Sequence, residues 1–304
     1  MNNNRANLTT NKHPFARMAG CRIRVYSCSF VFALLLSYPA SAGEVSLQLA
    51  RELSAERDHA GAAVEFRRLA LSTGVPAERA AYHWSAAFEQ WRAGDSVRAD
   101  ALLDRAEDEH ALASEQVAAL RGELALTRRQ PTEAVFHFEA AARVTNDSAR
   151  LFALRKQSAA ALRAKDHSAA RRAAVLAGPD AELAVLDYVK GRDKNPALGG
   201  WLGTVPGLGY AYAGEYANAA RSIILNGLFI WGMVETADDK NWGAFAVITF
   251  FEITWYSGSI YGGIDASHRH NQRRLARAEA ALTAGYSLQP DYEALPALQL
   301  RYRW

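Results

Sequence analysis

Small residues recur at a nearly constant interval through the first half of the chain. Ala62, Ala99, Ala134 and Ala170 lie 37, 35 and 36 residues apart, and each begins a similar run of small and large side chains. A fixed period of this length is typical of helical-repeat arrays, in which each repeat covers the apolar stripe of its neighbour. The sequence therefore predicts helix pairs. Their first helices are expected at about 45–56, 78–92, 114–128 and 148–164.

In the first three repeats a large residue follows the small one by four positions, and another small residue lies beyond it. This pattern resembles the second helix of the tetratricopeptide repeat, and Gly122 matches a small position of that family's first helix. The family's Trp, Leu-Gly and Tyr are mostly replaced. The resemblance covers about 135 residues and implies an all-α chain, with an α-solenoid of about four helix pairs over 43–190 and a capping helix over Asp180–Lys190. A plain helical bundle is the alternative.

The second repeat is unusually aromatic. Most of its large side chains are expected to pack inside the array, because one helix cannot leave five of them in water. Any that faces the concave surface would be the best anchor for a protein or peptide partner. The predicted partner-binding residues are Tyr82, His83, Trp84 and Trp91, beside Phe88.

Residues 1–42 have the pattern of a secretory signal peptide. Arg22 and Arg24 precede an apolar run from Val25 to Tyr38, and Ala40-Ser41-Ala42 supplies small residues before Gly43. The run is shorter than the roughly 20 residues that span a bilayer, which favours cleavage over an anchor. We therefore expect export to the bacterial cell envelope, with the repeats in the periplasm.

Charge and cysteine content exclude several classes of function. Five of the 35 basic residues and both cysteines, Cys21 and Cys28, lie in the predicted signal peptide, so the remainder carries 30 basic against 32 acidic residues. This balance gives no electrostatic basis for nucleic-acid binding. A chain without cysteine has no disulfide framework, thiolate metal site or cysteine nucleophile. The sequence shows no cofactor motif and no acid, base or nucleophile constellation, so no enzyme is predicted.

After a polar linker at 191–196 the composition becomes apolar. Ala217–Glu235 and Trp242–Ile264 each have roughly the length that crosses the ~30 Å hydrocarbon core of a bilayer, and a short acidic turn separates them. This pattern predicts a transmembrane helical hairpin within 197–264. Trp and Tyr residues near the ends of both stretches are typical of membrane interfaces.

A glycine-rich segment precedes the hairpin. Its motif consists of Pro206, Gly207, Gly209, Tyr212 and Gly214, and it resembles the opening of small uncharacterised bacterial membrane domains with two hydrophobic helices. That resemblance implies no known activity. A nucleotide loop is excluded because the third glycine and the Gly-Lys-Ser/Thr sequence are missing. We predict a re-entrant or broken-helix element packed against both helices.

Three polar residues interrupt the apolar stretches. Arg221 and Glu252 are predicted to lie at similar depth and to form a salt bridge, and Asn226 is predicted on a neighbouring face from which it can join them. Ionisable groups inside a membrane are usually paired or functional. A structural pair is the first interpretation, and a proton or ion path is the second.

Residues 265–304 form a polar, basic tail. Arg269, Arg273, Arg274 and Arg277 would place it in the cytoplasm by the positive-inside rule, which requires three crossings when the repeats lie outside. Attachment at the membrane surface or a location at the outer membrane is the alternative. His268 and His270 are a weak metal pattern and more typical of a solvated tail. The final residues, 298–304, alternate in polarity as a strand does.

These features predict a non-catalytic, membrane-tethered scaffold that binds envelope proteins or peptides through its repeats. The alternative is a small transport or channel component that uses Arg221, Asn226 and Glu252, and a homo-oligomer would favour it.

Overall fold

The computed structural model describes residues 42–110, 114–288, 290–291 and 299–300. Within them the chain is helical apart from one minimal antiparallel pair, Pro290–Asp291 with Gln299–Leu300. The first nine helices are α1 (Ala42–Ala55), α2 (His59–Ser72), α3 (Pro76–Arg92), α4 (Ser96–Asp108), α5 (Ser114–Thr127), α6 (Pro131–Ala141), α7 (Asp147–Arg163), α8 (His167–Ala177) and α9 (Pro179–Lys190). The others are α10 (Pro196–Leu202), α11 (Leu208–Tyr212), α12 (Tyr216–Asp238) and α13 (Trp242–Thr283).

Helices α1 to α9 pack mainly against their neighbours in sequence. This is the contact pattern of a helical-repeat array, and the predicted first helices coincide with α1, α3, α5 and α7 to within three residues. The predicted small and large positions form the core: Ala62, Phe66, Ala99, Leu103, Ala134 and Phe138 are fully buried. Gly122 also lies where the pattern places it, with the Phe138 ring directly against it.

The turn between the two helices of each pair has its own repeat. Arg57, Gly94, Arg129 and Lys165 all have positive φ, and they recur at the same spacing as the small residues. In three pairs the next residue is an aspartate whose side chain accepts a hydrogen bond from a backbone amide in the first turn of the second helix. Such N-caps satisfy amide groups that the helix leaves unpaired. The same local hydrogen bond therefore starts three of the four second helices.

The chain after the linker differs from its predicted boundary. Helix α13 has 42 residues and continues for 19 residues beyond Ile264 without a break. Its C-terminal half packs against α7 and α9. Arg163 on α7 forms an ion pair with Glu279. The basic tail therefore lies on the repeats, which contradicts a topology with the tail and the repeats on opposite sides of a membrane.

The two predicted membrane helices form a hairpin, α12 and α13, joined at residues 239–241. None of the described helices combines the length and the mean hydropathy needed to cross a membrane. The sequence prediction of a transmembrane hairpin is therefore met only in its helical part. Asn218, Arg221, Asn226 and Glu252 lower the average hydropathy of the two helices.

Two predictions fall on residues outside the described ranges. The predicted signal peptide lies there except for Ala42, with which α1 begins. The alternating C-terminal segment lies there except for Gln299 and Leu300.

Candidate functional site

The α12–α13 hairpin carries a large exposed apolar surface. Its members lie on both helices between residues 223 and 261, and each is at least 50 % exposed. They are Ile223, Ile224, Leu228, Ile230, Trp231, Val234, Trp242, Val247, Phe250, Phe251, Ile253, Trp255 and Tyr261. An exposed apolar patch of this extent marks a surface that contacts lipid or another protein.

Polar side chains lie inside the hairpin instead. Ser222 and Asn226 on α12 and Glu252 and Ser259 on α13 are buried, with Asn226 only 1 % exposed. Ser222 Oγ donates a hydrogen bond to Ser259 Oγ over 3.2 Å, and Asn226 Nδ2 donates one to the carbonyl oxygen of Ser222 over 2.7 Å. The helix pair is therefore polar inside and apolar outside, the reverse of a helix pair that faces water.

The predicted salt bridge between Arg221 and Glu252 does not form. Within the described chain no ion pair joins them, and Glu252 Oε2 and Asn226 Oδ1 are buried without hydrogen-bond partners. Arg221 is exposed, and its Nη1 donates to Asn218 Oδ1 over 3.4 Å. The helical period explains the difference: Ser222 takes the inward position, and Arg221 lies roughly 100° away from it around the helix.

Glycines bring three helices into backbone contact at the base of the hairpin. A Cβ on Gly209 would lie 2.5 Å from the carbonyl oxygen of Gly199 and 2.8 Å from Cα of Gly263. Gly207 has φ +87°, and a Cβ there would lie 2.6 Å from the carbonyl oxygen of Ala219. The glycine-rich segment is thus a broken helix, α10 and α11, packed on α13 and α12.

The other motif residues serve the same junction. The Tyr212 hydroxyl accepts a hydrogen bond from the backbone amide of Asn195 over 3.0 Å, and Lys194 Nζ lies 4.6 Å from the centre of the Tyr212 ring. Gly214 has φ +80°, which the turn into α12 requires. Pro206 is partly buried in the turn before α11. These residues therefore have a structural role at the junction.

A carboxylate at the start of α12 connects the hairpin to α13. Glu215 accepts hydrogen bonds from Arg269 Nη2 over 2.7 Å and from Arg273 Nη2 over 2.9 Å. The Glu215 side chain is 9 % exposed. Hydrogen bonds from Arg269 and Asn218 and the charge of Arg273 lower the pKa of Glu215 to about 2. The basic residues read as a cytoplasmic tail thus include two that balance this carboxylate.

A cavity of about 480 Å³ lies between the hairpin helices near their base. Arg221, Asn218, Ser222 and Leu225 line it from α12, and Tyr210 lines it from α11. The side of α13 is formed by Thr254, Trp255, Gly258 and Ser259. Sequence reasoning identified only Arg221 here, although the serines that interrupt the apolar stretches are a signal for the rest.

The predicted aromatic partner site is largely core. Trp84 is fully buried, stacks on Phe88 with ring centres 5.7 Å apart, and donates its indole N–H to the carbonyl oxygen of Gln116. Its burial does not fit a partner-binding role. His83 is 5 % exposed, and burial lowers its pKa. Tyr82 and Trp91 are half-buried, and Trp91 Nε1 donates to Thr127 Oγ1.

The first two repeats contain a Ser, His and Glu cluster that lacks the order of a catalytic triad. Glu89 accepts a hydrogen bond from Ser54 Oγ over 2.7 Å, and its other oxygen lies 2.7 Å from His59 Nδ1. In a triad the histidine lies between the nucleophile and the carboxylate. Here the buried carboxylate lies between the other two, so the cluster holds α1, α2 and α3 together.

The segment after α13 lies on the repeats. Leu288 is 5 % exposed and belongs to the core formed by the first repeats, with Tyr286 packed beside it. The Arg155 guanidinium on α7 lies 4.6 Å from the Tyr286 ring centre and donates to Asp180 Oδ2 and to the carbonyl oxygen of Leu282. The array thus already holds a short stretch without helix or strand structure that carries an aromatic and a leucine residue.

No group of three or more potential ligands is placed to hold a metal in the described ranges. His270 of the predicted weak pair instead lies 3.2 Å from the carbonyl oxygen of Ala213 through Nδ1. In comparisons with known protein families, curated proteins and solved structures, nothing matches this chain.

Proposed function

We propose that this protein is a non-catalytic adaptor of the bacterial cell envelope, in which the α12–α13 hairpin lies in a lipid bilayer and the helical repeats bind protein or peptide partners. The observation that carries the proposal is the inverted polarity of the hairpin. Ser222, Asn226, Glu252 and Ser259 are buried inside it, whereas most of its large apolar side chains are exposed.

The inverted polarity explains how the hairpin can contact lipid although the mean hydropathy of its helices is modest. The mean hydropathy of a helix includes Ser222, Asn226 and Glu252 as if their side chains contacted lipid. All three are buried within the protein. Polar residues in membrane helices face the interior of a bundle. The surface left for lipid is therefore more apolar than the average of either helix.

Aromatic side chains flank this surface at both ends. Trp242 lies at the hairpin tip, and Tyr216 and Tyr261 lie near its base, all of them exposed. Trp242 and Tyr261 are 19 residues apart, which is ~28 Å along a helix. That length is close to the hydrocarbon thickness of a bilayer, and interfacial aromatics favour such spacing.

The arrangement of the repeats supports a two-crossing topology. The linker and the C-terminal part of α13 lie together, since the Lys194 backbone exchanges two hydrogen bonds with the Asn271 side chain. Arg274, on the same part of α13, donates to the carbonyl oxygen of Tyr188 on α9, so both ends of the hairpin region lie at the repeats. The predicted signal peptide places this side in the periplasm, with the hairpin tip in the cytoplasm. An inner-membrane location follows from an α-helical anchor.

The partner-binding role is supported by the chain's own C-terminal segment. Tyr286 and Leu288 occupy an apolar position on the array without helix or strand structure. Repeat arrays present extended surfaces for such segments. The resemblance to tetratricopeptide repeats favours the same class of ligand.

A channel component is the second candidate, and one observation favours it. Asn226 Oδ1 and Glu252 Oε2 are buried oxygens without partners. In a lipid-embedded oligomer they would be available to a cation or a proton. Conductance of reconstituted protein that is lost in Glu252→Gln would favour this candidate over the adaptor.

Cysteine labelling in intact cells tests the topology. The mature chain has no cysteine once residues 1–42 are removed, so Asn241→Cys at the tip and Arg192→Cys in the linker are single reporters. A maleimide that crosses only the outer membrane should label residue 192 and reach residue 241 only after the inner membrane is opened. Equal labelling of both positions in intact cells would refute the proposal.

A further inference from the structure

We infer that the cavity at the hairpin base binds the headgroup of an anionic phospholipid, with Arg221 contacting the phosphate. This inference rests on the proposed function, because it assumes that the hairpin meets lipid. It assigns a ligand to a cavity of about 480 Å³ lined by both hairpin helices and by Tyr210.

The cavity carries a positive charge that no carboxylate of its lining balances. Arg221 is the charged residue of its lining, and no aspartate or glutamate lines it. The nearest carboxylate in sequence, Glu215, is already held by Arg269 and Arg273. Arg221 itself makes one long hydrogen bond, of 3.4 Å, to Asn218. A guanidinium in this state prefers an oxyanion and matches the geometry of a phosphate.

Four residues of the cavity lining carry hydroxyl groups. They are Tyr210, Ser222, Thr254 and Ser259. The Ser222 and Thr254 hydroxyls already donate within the protein, to Ser259 Oγ and to the carbonyl oxygen of Phe250, so the contact with a phosphate falls to Arg221. A choline or ethanolamine ammonium group would lie beside the Arg221 cation with no aspartate or glutamate in the lining to balance it, so the charges favour an anionic headgroup over a zwitterionic one.

The hairpin surface between the cavity and the tip is apolar. Arg221, Leu225 and Leu228 lie three or four residues apart and so follow one stripe of α12, while Gly258, Trp255, Phe251 and Val247 follow one stripe of α13. Toward the tip these stripes continue with Leu228, Phe251 and Val247, which are exposed. A polar cavity beside exposed apolar side chains matches the headgroup and acyl chains of a phospholipid and not a free phosphate.

The depth of the cavity agrees with a headgroup. Arg221 lies five residues into α12, or ~8 Å along the helix. The exposed aromatic residues Tyr216, Trp201 and Tyr261 lie at this end of the hairpin. Aromatic belts mark the headgroup level of a bilayer, so the guanidinium lies where lipid phosphates are found.

Native mass spectrometry of the full chain in detergent tests the inference. Phosphatidylglycerol and phosphatidylcholine would be added in turn, and the wild type should retain phosphatidylglycerol with roughly fivefold higher affinity. Arg221→Gln should remove this preference. Arg192→Gln, which removes the same charge from the exposed linker, should keep it. Equal affinity for both lipids in the wild type would overturn the inference.

Two further arms separate the possible failures. Displacement of phosphatidylglycerol by millimolar glycerol 3-phosphate would show a site for free phosphate compounds and overturn the lipid assignment. Flotation of the reconstituted chain on phosphatidylcholine vesicles tests the hairpin anchor alone. Flotation without a lipid preference refutes only the headgroup site, whereas absence of flotation refutes the proposed function beneath it.

Discussion

The Arg269 guanidinium donates two hydrogen bonds to the Glu215 carboxylate, with Nε 3.0 Å from Oε1 and Nη2 2.7 Å from Oε2. The contact joins the first residue before α12 to a point on α13 beyond the hairpin. It fixes the base of the hairpin from both sides. Charge-assisted pairs of this forked geometry are stronger than ordinary hydrogen bonds.

This contact should make stability depend on acid pH. The pKa of Glu215 falls from 4.5 to about 2 on folding, so the folded state gains stability above pH 4.5 and loses it as the pH falls toward 2. Because Arg269 and Arg273 are partly exposed, we expect the contribution at neutral pH to be about 1–2 kcal/mol. Glu215→Gln should remove most of it. Thermal unfolding in micelles between pH 7 and pH 3 measures the effect.

The matched control is Glu235→Gln, which neutralises an exposed carboxylate near the hairpin tip. Its unfolding curves should follow the wild type. If the stability of the wild type and that of Glu215→Gln fell equally as the pH decreases from 7 to 3, the contact would contribute nothing.

The glycine junction gives a second prediction. Gly209→Ala should destabilise the protein by about 3 kcal/mol or more, because its Cβ would meet the backbone of α10 and α13. Gly227→Ala lies on α12 with open space around it. It should be neutral or stabilise the helix by up to ~1 kcal/mol. Denaturant unfolding compares them, and equal stability would contradict the close packing.

The separation of Arg221 from Glu252 gives a third prediction. A double-mutant cycle between Arg221→Ala and Glu252→Ala should show a coupling energy below about 0.5 kcal/mol, since no contact joins the side chains. Glu252→Gln should match the wild type in stability or exceed it, because it removes a buried charge and keeps the shape. A coupling energy of ~2 kcal/mol would show that the two side chains do form the salt bridge predicted from the sequence.

Arg155 gives a fourth prediction. Its guanidinium contacts Asp180, the end of α13 and the Tyr286 ring at once, and it is 5 % exposed. Arg155→Lys should cost roughly 1–3 kcal/mol because an ammonium group cannot stack and fork in this way. Arg163→Lys, at the more exposed pair with Glu279, should cost less than ~1 kcal/mol. Chemical denaturation of both variants measures the difference, and equal losses would contradict the account.

Much of the array was accessible from the sequence. The spacing of Ala62, Ala99 and Ala134 predicts the helix pairs, because one small residue per repeat must accept the large residue of its neighbour. The turn residues with positive φ recur at the same period, but their residue types did not reveal them. Arg57, Arg129 and Lys165 give no hint of a left-handed backbone by residue type, since only Gly94 is a usual residue there.

Long-range packing was not accessible in the same way. A basic run after Ile264 is equally compatible with a solvated tail and with a helix whose Arg269 pairs with Glu215 and whose Glu279 pairs with Arg163. The choice depends on partners that are 54 and 116 residues apart in the sequence. Likewise, depth alone suggested a pair between Arg221 and Glu252, whereas the helical phase directs Ser222 inward instead.

The central claim is that the outer surface of the hairpin contacts lipid, and the reactivity of one position on it tests that claim most directly. Phe250 is 68 % exposed on α13, so Phe250→Cys in the reconstituted chain without residues 1–42, which then has no other cysteine, reports the medium around it. A water-soluble maleimide should modify this cysteine at least tenfold more slowly than Arg192→Cys in the linker, as expected for a thiol in hydrocarbon. Equal rates at the two positions would place the hairpin surface in water and contradict the account.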